Sequence, residues 1–108
     1  MDDQEFITKF KAIPSQELRS ATEHFVEAVY NKDVLKKSVI PLIEKSFGAP
    51  LKPAGAAPSS EASLRAAAYG GIRKDQTLYY RTGEGPLNTI MFWPWSDGQT
   101  FTVKIYRS

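Results

Sequence analysis

Asn88-Thr-Ile-Met-Phe-Trp-Pro-Trp95, Ser96-Asp-Gly-Gln99 and Thr100-Phe-Thr-Val-Lys-Ile-Tyr-Arg107 read as two strands joined by a tight turn. Asp-Gly between two β-branched and aromatic runs is among the strongest short-range hairpin signals. A two-residue loop at Asp97-Gly98 sets Ser96 against Gln99, Pro94 against Phe101, Phe92 against Val103 and Ile90 against Ile105. A four-residue loop keeps the same pairing. A three-residue loop opposes Ile90 to Lys104 or Tyr106 and breaks up the apolar face. A one-residue slip turns every side chain to the other face, so the hydrophobic pattern selects the first register. Pro94 has no ladder donor and belongs at an edge, a bulge or a strand end.

The opposite face of this hairpin carries Met91, Trp93 and Trp95 beside Lys104, with Tyr106 across from Thr89. Gln76-Thr-Leu-Tyr-Tyr-Arg81 is a further strand by its aromatic and β-branched content. Placing Leu78 and Tyr80 on the apolar face sends Tyr79 and Arg81 to the second one. The candidate binding surface is therefore Tyr79, Arg81, Met91, Trp93, Trp95, Lys104 and Tyr106. At ~150–250 Å² each, its four large aromatics amount to roughly 600–1,000 Å². The largest apolar patch of a typical monomer is only ~300–600 Å². Partial cover is expected, from a helix, the proline-rich segment, a second subunit or a ligand.

Upstream, residues 61–73 mix helix-favouring alanines with Tyr69, two glycines and Ile72. A short helix or irregular turn followed by a strand near 67–73 is expected. Residues 49–60 hold three prolines and one charge, the composition of a mobile or extended connection. Pro50-Leu-Lys-Pro53 fits a minimal polyproline pattern, but linker is the plainer reading.

The N-terminal part reads as helical. Asp2 and Glu5 suggest a capping box, and Phe6, Ile7, Phe10 and Ile13 share one stripe before Pro14. Leu18, Ala21, Thr22, Phe25, Val26 and Val29 recur at three and four, predicting a second helix from Ser15 to about Tyr30. A third, capped by Asp33, carries Val34, Leu35, Val39, Leu42, Ile43 and Phe47, with Pro41 either kinking it near residues 38–41 or standing in the first turn of a second short helix, and Gly48 ending it. The predicted architecture is α+β, with two or three N-terminal helices packed on a three- or four-stranded antiparallel β-meander. One domain is expected: a helical part over 2–48, a connection over 49–60 and a strand part over 64–107.

Composition narrows the chemistry. The 108 residues contain no cysteine and one histidine, which excludes disulfides, thiolate zinc sites and clustered imidazole ligands. No metal or cofactor is expected. Without a signal-like start or an apolar run of ~18 residues, a cytoplasmic protein is the expectation. Net charge is +2, distributed as −3 over residues 1–30, +3 over 31–60 and +2 over 61–108. That asymmetry permits an anionic partner.

His24 and Glu27 would form a base–carboxylate pair one helical turn apart, but a solvated helix histidine explains them as well. No Gly-x-Ser-x-Gly elbow and no phosphate-loop spacing occurs. Gly70-Gly-Ile-Arg-Lys74 could hold an anion through backbone donors and two cations, or simply form a turn. The chain therefore reads as a non-enzymatic interaction protein, with a protein partner or a second copy on the aromatic–basic face. Single-stranded nucleic acid is the alternative, stacking on sheet aromatics with its phosphates on Arg81, Lys104 and Arg107. A small enzyme or ligand-binding protein comes third.

Overall fold

The computed structural model describes residues 2–22, 25–82 and 86–107. Five strands form one antiparallel sheet in the order β1-β2-β5-β4-β3: β1 Glu17–Ala21, β2 Phe25–Asn31, β3 Thr77–Tyr80, β4 Leu87–Pro94 and β5 Thr100–Arg107. Helix α1 (Asp3–Ala12) and helix α2 (32–47) cover the front face; helix α3 (Ser60–Ala66) and a following 3₁₀ turn (Ala67–Tyr69) lie on the back. The α+β class and the antiparallel sheet agree with the sequence reading, with five strands in place of three or four. Among the described residues no helix is long and apolar enough to cross a membrane.

The hairpin has the expected register. Ile90 pairs with Ile105, Phe92 with Val103 and Pro94, at the end of β4, with Phe101. Its loop is the four-residue version: Trp95 N–H donates to Thr100 O at 2.8 Å, and Gly98 takes φ +69°. Asp97 holds that turn by accepting from Gln99 N–H, Thr100 N–H and the Thr100 hydroxyl, which keeps its carboxyl below the usual carboxylate range.

The expected helix from Ser15 to Tyr30 is instead the β1–β2 hairpin. Val26, Ala28 and Tyr30 alternate onto the front face and are all buried. The whole of β2 pairs with β5, from Phe25↔Tyr106 to Asn31↔Thr100. Helical spacing and a period of two coincide over so short a run, and non-local pairing decided between them. The expected strand at 67–73 is likewise absent; that stretch is the 3₁₀ turn after α3 and an irregular segment from Gly70 to Arg73.

Smaller corrections follow the same logic. Asp2 caps α1 by accepting Glu5 N–H, but Glu5 pairs forward with Lys9 at 3.1 Å rather than closing the capping box. Asn31, not Asp33, caps α2. Pro41 lies just after a π-helical turn over Leu35–Val39, where Ile40 N–H reaches back to Leu35 O. Pro41 thus stands in the first turn of the α-helical segment Ile40–Phe47, one of the two expected arrangements, and the widened turn before it accommodates a residue that cannot donate and whose ring crowds the preceding turn.

The front core joins Phe6 and Phe10 of α1 and Leu35, Val39, Ile43 and Phe47 of α2 to the sheet residues. Phe10 meets the Tyr30 ring edge-on at 5.7 Å, and Phe6 packs on Phe47 at 5.8 Å. Tyr79 belongs to this face. It pairs with Ile90, is buried against Phe92, and its hydroxyl donates to Glu44 at 2.9 Å.

Arg81 points the same way. Its guanidinium binds Asp3 at 2.5 Å, donates to Leu87 O at 3.0 Å and to the Ser46 hydroxyl, and lies over the Phe47 ring. Asp3 also accepts Leu87 N–H at 3.1 Å. The predicted face assignment of Tyr79 and Arg81 is thus reversed. Leu78 and Tyr80 take the back face because Leu78 pairs with Met91 and Tyr80 with Thr89.

Both sheet edges are protected. Strand β1 is short, charged at Glu17 and Arg19, and bulged between Leu18 and Ser20. The outer edge of β3 is met by the proline-rich connection, which is extended and fixed: Lys52 and Leu78 exchange backbone hydrogen bonds of 3.2 and 2.9 Å. The Lys52 side chain, 1% exposed, gives its ammonium to the carbonyls of Pro53, Lys74 and Gln76 at 3.1, 2.6 and 2.5 Å.

Removing the Arg81 charge leaves Asp3 buried with Arg107 as its nearest cation, at 4.0 Å. Arg81→Met should cost about 3–5 kcal/mol, read as a fall in the urea midpoint. Burial pushes the Tyr30 phenol up to about 12. Its neutral form is favoured by folding, so its contribution is complete below the ordinary tyrosine value of ~10 and is lost between there and about 12. Tyr30→Phe should remove roughly 2–3 kcal/mol of that alkaline loss, measured as stability at high pH relative to neutral.

Candidate functional site

The back face is largely covered by the chain itself. Ala62 and Ala66 of α3 bury Leu78 and Met91, with Leu51, Tyr69, Ile72, Trp93 and Tyr106 packed around them. Met91 is therefore fully buried and offers no surface. Tyr69 stacks on Tyr106 with ring centroids 3.9 Å apart and 17° between planes, and Tyr106 leans on Phe25 at 5.2 Å. Burial, then Glu27 and Tyr69, push the Tyr106 phenol up to about 12, so it stays neutral at physiological pH.

Trp95, at the turn end, donates from Nε1 to Thr102 Oγ1 at 2.8 Å, while Arg19 lies over its ring at 5.4 Å. Its indole thus reaches from β4 across β5 towards β1, and it stays 40% exposed. Arg19 is held there by Glu17 and Glu27, at 3.1 and 3.4 Å. Glu27 lies on β2, not on a helix, and His24 lies outside the described residues.

Beside α3 the cover stops and a polar hollow of about 240 Å³ opens, lined by Tyr69, Gly70, Gly71, Arg73, Gln76, Trp93 and Lys104. Its rim follows from how α3 ends. Gly70 takes φ +93° and Gly71 N–H returns to Ala66 O at 2.9 Å, the Schellman stop that turns the chain sharply off the helix. The next turn folds back through Arg73 N–H, which donates to Gln76 Oε1 at 2.8 Å. That bond identifies the oxygen of the amide, because an N–H requires an acceptor. The Gln76 amide nitrogen is left as a donor on a side chain only 2% exposed.

On the sheet side, Lys104 and Trp93 are diagonal neighbours across β4 and β5, and the Lys104 ammonium sits 4.3 Å from the indole centroid. Arg73 contributes a second cation at the rim, tied only loosely to the exposed Asp75 at 3.7 Å. Among the described residues no carboxylate lines the hollow. Two cations, a carboxamide donor and two aromatic rings at one hollow suit an anion that carries a flat ring.

Of the predicted surface, Trp93 and Lys104 line this hollow, and Tyr106 packs beneath Tyr69 beside it. Trp95 stands apart beside Arg19, Met91 is buried, and Tyr79 and Arg81 are on the front. The Gly70–Lys74 segment supplies the site differently from the sequence expectation: Gly71 N–H and Arg73 N–H are already engaged, and side chains provide the donors. Tyr69 and Gln76 escaped the sequence reading. Their only signal was proximity to the double glycine.

No protein-family profile, curated protein or solved structure matches this chain.

The Gly70 conformation shapes the rim without a steric neighbour, since a Cβ there would meet nothing within 4 Å. Gly70→Ala should therefore act through its positive φ alone, lowering stability by about 1 kcal/mol. Thermal unfolding measures this.

Proposed function

We propose that this chain is a non-enzymatic binding protein that takes single-stranded nucleic acid on its back sheet face. One observation carries the reading: the acid-free hollow in which Trp93 and Tyr69 flank Lys104, Arg73 and the Gln76 amide. A base has a π-face to stack on these rings, and the phosphates on either side of it find one cation each. The dimensions suit a few atoms of a nucleotide rather than a flat protein surface.

A protein contact or homodimer drew its appeal from the area of an open aromatic patch. With Tyr79 on the front, Met91 under α3 and Tyr106 beneath Tyr69, that area no longer favours it. Strand-to-strand pairing through β1 is also discouraged by its bulge and charges.

Trp93 lines the hollow, and its emission reports on occupancy. Short single-stranded oligonucleotides at low salt should quench it saturably. Two phosphates neutralised at once would give log K against log salt a slope of about −1.4. Lys104→Met and Arg73→Gln should each flatten that slope by about 0.7 and weaken binding several-fold. Absence of quenching by every oligonucleotide at low salt would remove the proposal.

A further inference from the structure

A second hollow, of about 270 Å³, opens on the front face, between helix α2 and the proline-rich connection. Its chemistry is the reverse of the first. Leu35, Ile40, Tyr79, Phe92 and Phe101 make its walls, and Pro50, Pro53 and Ala54 close one side. Protein interiors pack at ~0.74–0.76 density with few voids larger than a water. Unfilled apolar volume beside the core costs stability, and such walls give water few partners.

The origin of the hollow lies in the chain. Pro41 cannot continue the hydrogen-bond ladder, and the helix widens into the π turn over Leu35–Val39. Leu35 and Ile40, the two ends of the π hydrogen bond, both line the cavity. Single π turns recur at functional sites. The connection is held over the opposite side by Lys52, so the walls are preformed.

Lys32 and Lys36 complete the lining. They are one helical turn apart, and neither forms an ion pair among the described residues. Of the acids on this helix, Glu44 already accepts the Tyr79 hydroxyl and Asp33, between the two lysines in sequence, is exposed to solvent; neither lines the hollow. An apolar slot with two free cations at its mouth is complementary to an apolar anion.

We infer that this front cavity binds a medium-chain carboxylate, with the alkyl chain against Leu35, Phe92 and Phe101 and the carboxylate at Lys32 and Lys36. The volume lies just below the ~300–1,000 Å³ of drug-sized sites, which favours a ligand of this modest size.

Calorimetric titration of the full chain with octanoate, octan-1-ol and octylammonium tests it. Octanoate should bind saturably, about tenfold tighter than the alcohol, with octylammonium weakest. The Lys32→Gln/Lys36→Gln double variant should bring octanoate down to the alcohol's affinity. Ala54→Trp, at an exposed wall position, should plug the cavity and abolish binding of both, with circular dichroism confirming the fold. Lys104→Met, on the opposite face, should leave octanoate binding intact. No saturable binding, equal affinity for octanoate and octanol, or binding that survives Ala54→Trp would each overturn the inference.

Discussion

Strand β5 is paired along both edges for nearly its full length, and everything else hangs from its register. Its front-face residues Phe101, Val103 and Ile105 meet Tyr30, Ala28 and Val26 on one side and Pro94, Phe92 and Ile90 on the other. Sliding either neighbour by one residue would turn Glu27 of β2, or Thr89 and Trp93 of β4, into the core. The same alternation leaves Lys104, Thr102 and Tyr106 on the back, where a cation, hydroxyls and a phenol can face water or a ligand. Core and candidate site are two readings of one period of two.

This constraint explains what was legible in the chain. The Asp97-Gly98 turn and the apolar alternation around it were sufficient for the hairpin register, because both signals are local and agree. The helix of residues 3–12 was legible for the same reason: a cap, a stripe and a proline stop all point one way. Residues 17–31 were not, since Val26, Ala28 and Tyr30 show their strand spacing only once β5 lies beside them. The face of Tyr79 was equally hidden. No Asn-Gly or Asp-Gly pair stands between residues 80 and 87 of the sequence to fix its register, and either alternation puts one tyrosine and one other large side chain on each face. Arg81 decides the matter through Asp3, a partner 78 positions away that no local pattern could reveal.

The two hollows trace back to breaks in regular structure that the sequence did display. The Gly70-Gly71 pair ends α3 and opens the polar site; Pro41 widens α2 and opens the apolar one. Each break leaves a place where the packing of an element against the sheet is interrupted. Chemistry then follows from the neighbours: Lys104, Arg73 and Gln76 in one case, Leu35, Phe92 and Phe101 in the other. They lie on opposite faces, and no residue lines both.

The buried ammonium of Lys52 has a consequence for how the molecule opens. It binds carbonyls at positions 53, 74 and 76, closing an excursion of more than twenty residues around a single atom. Burial lowers the affinity of that nitrogen for its proton, yet each of its three donors has an acceptor. Loop-closure entropy is thus opposed at this ammonium as well as by the Lys52–Leu78 backbone pair and the bond from Gly55 N–H to Lys74 O. Fraying cannot proceed one hydrogen bond at a time, because releasing any of the three carbonyls leaves the charge under-satisfied in a dry site. The connection and the Gln76 turn, with helix α3 in the excursion between them, are therefore tied together at that ammonium. Both hollows take part of their lining from the segments it joins, so sites of opposite chemistry on opposite faces share one anchor.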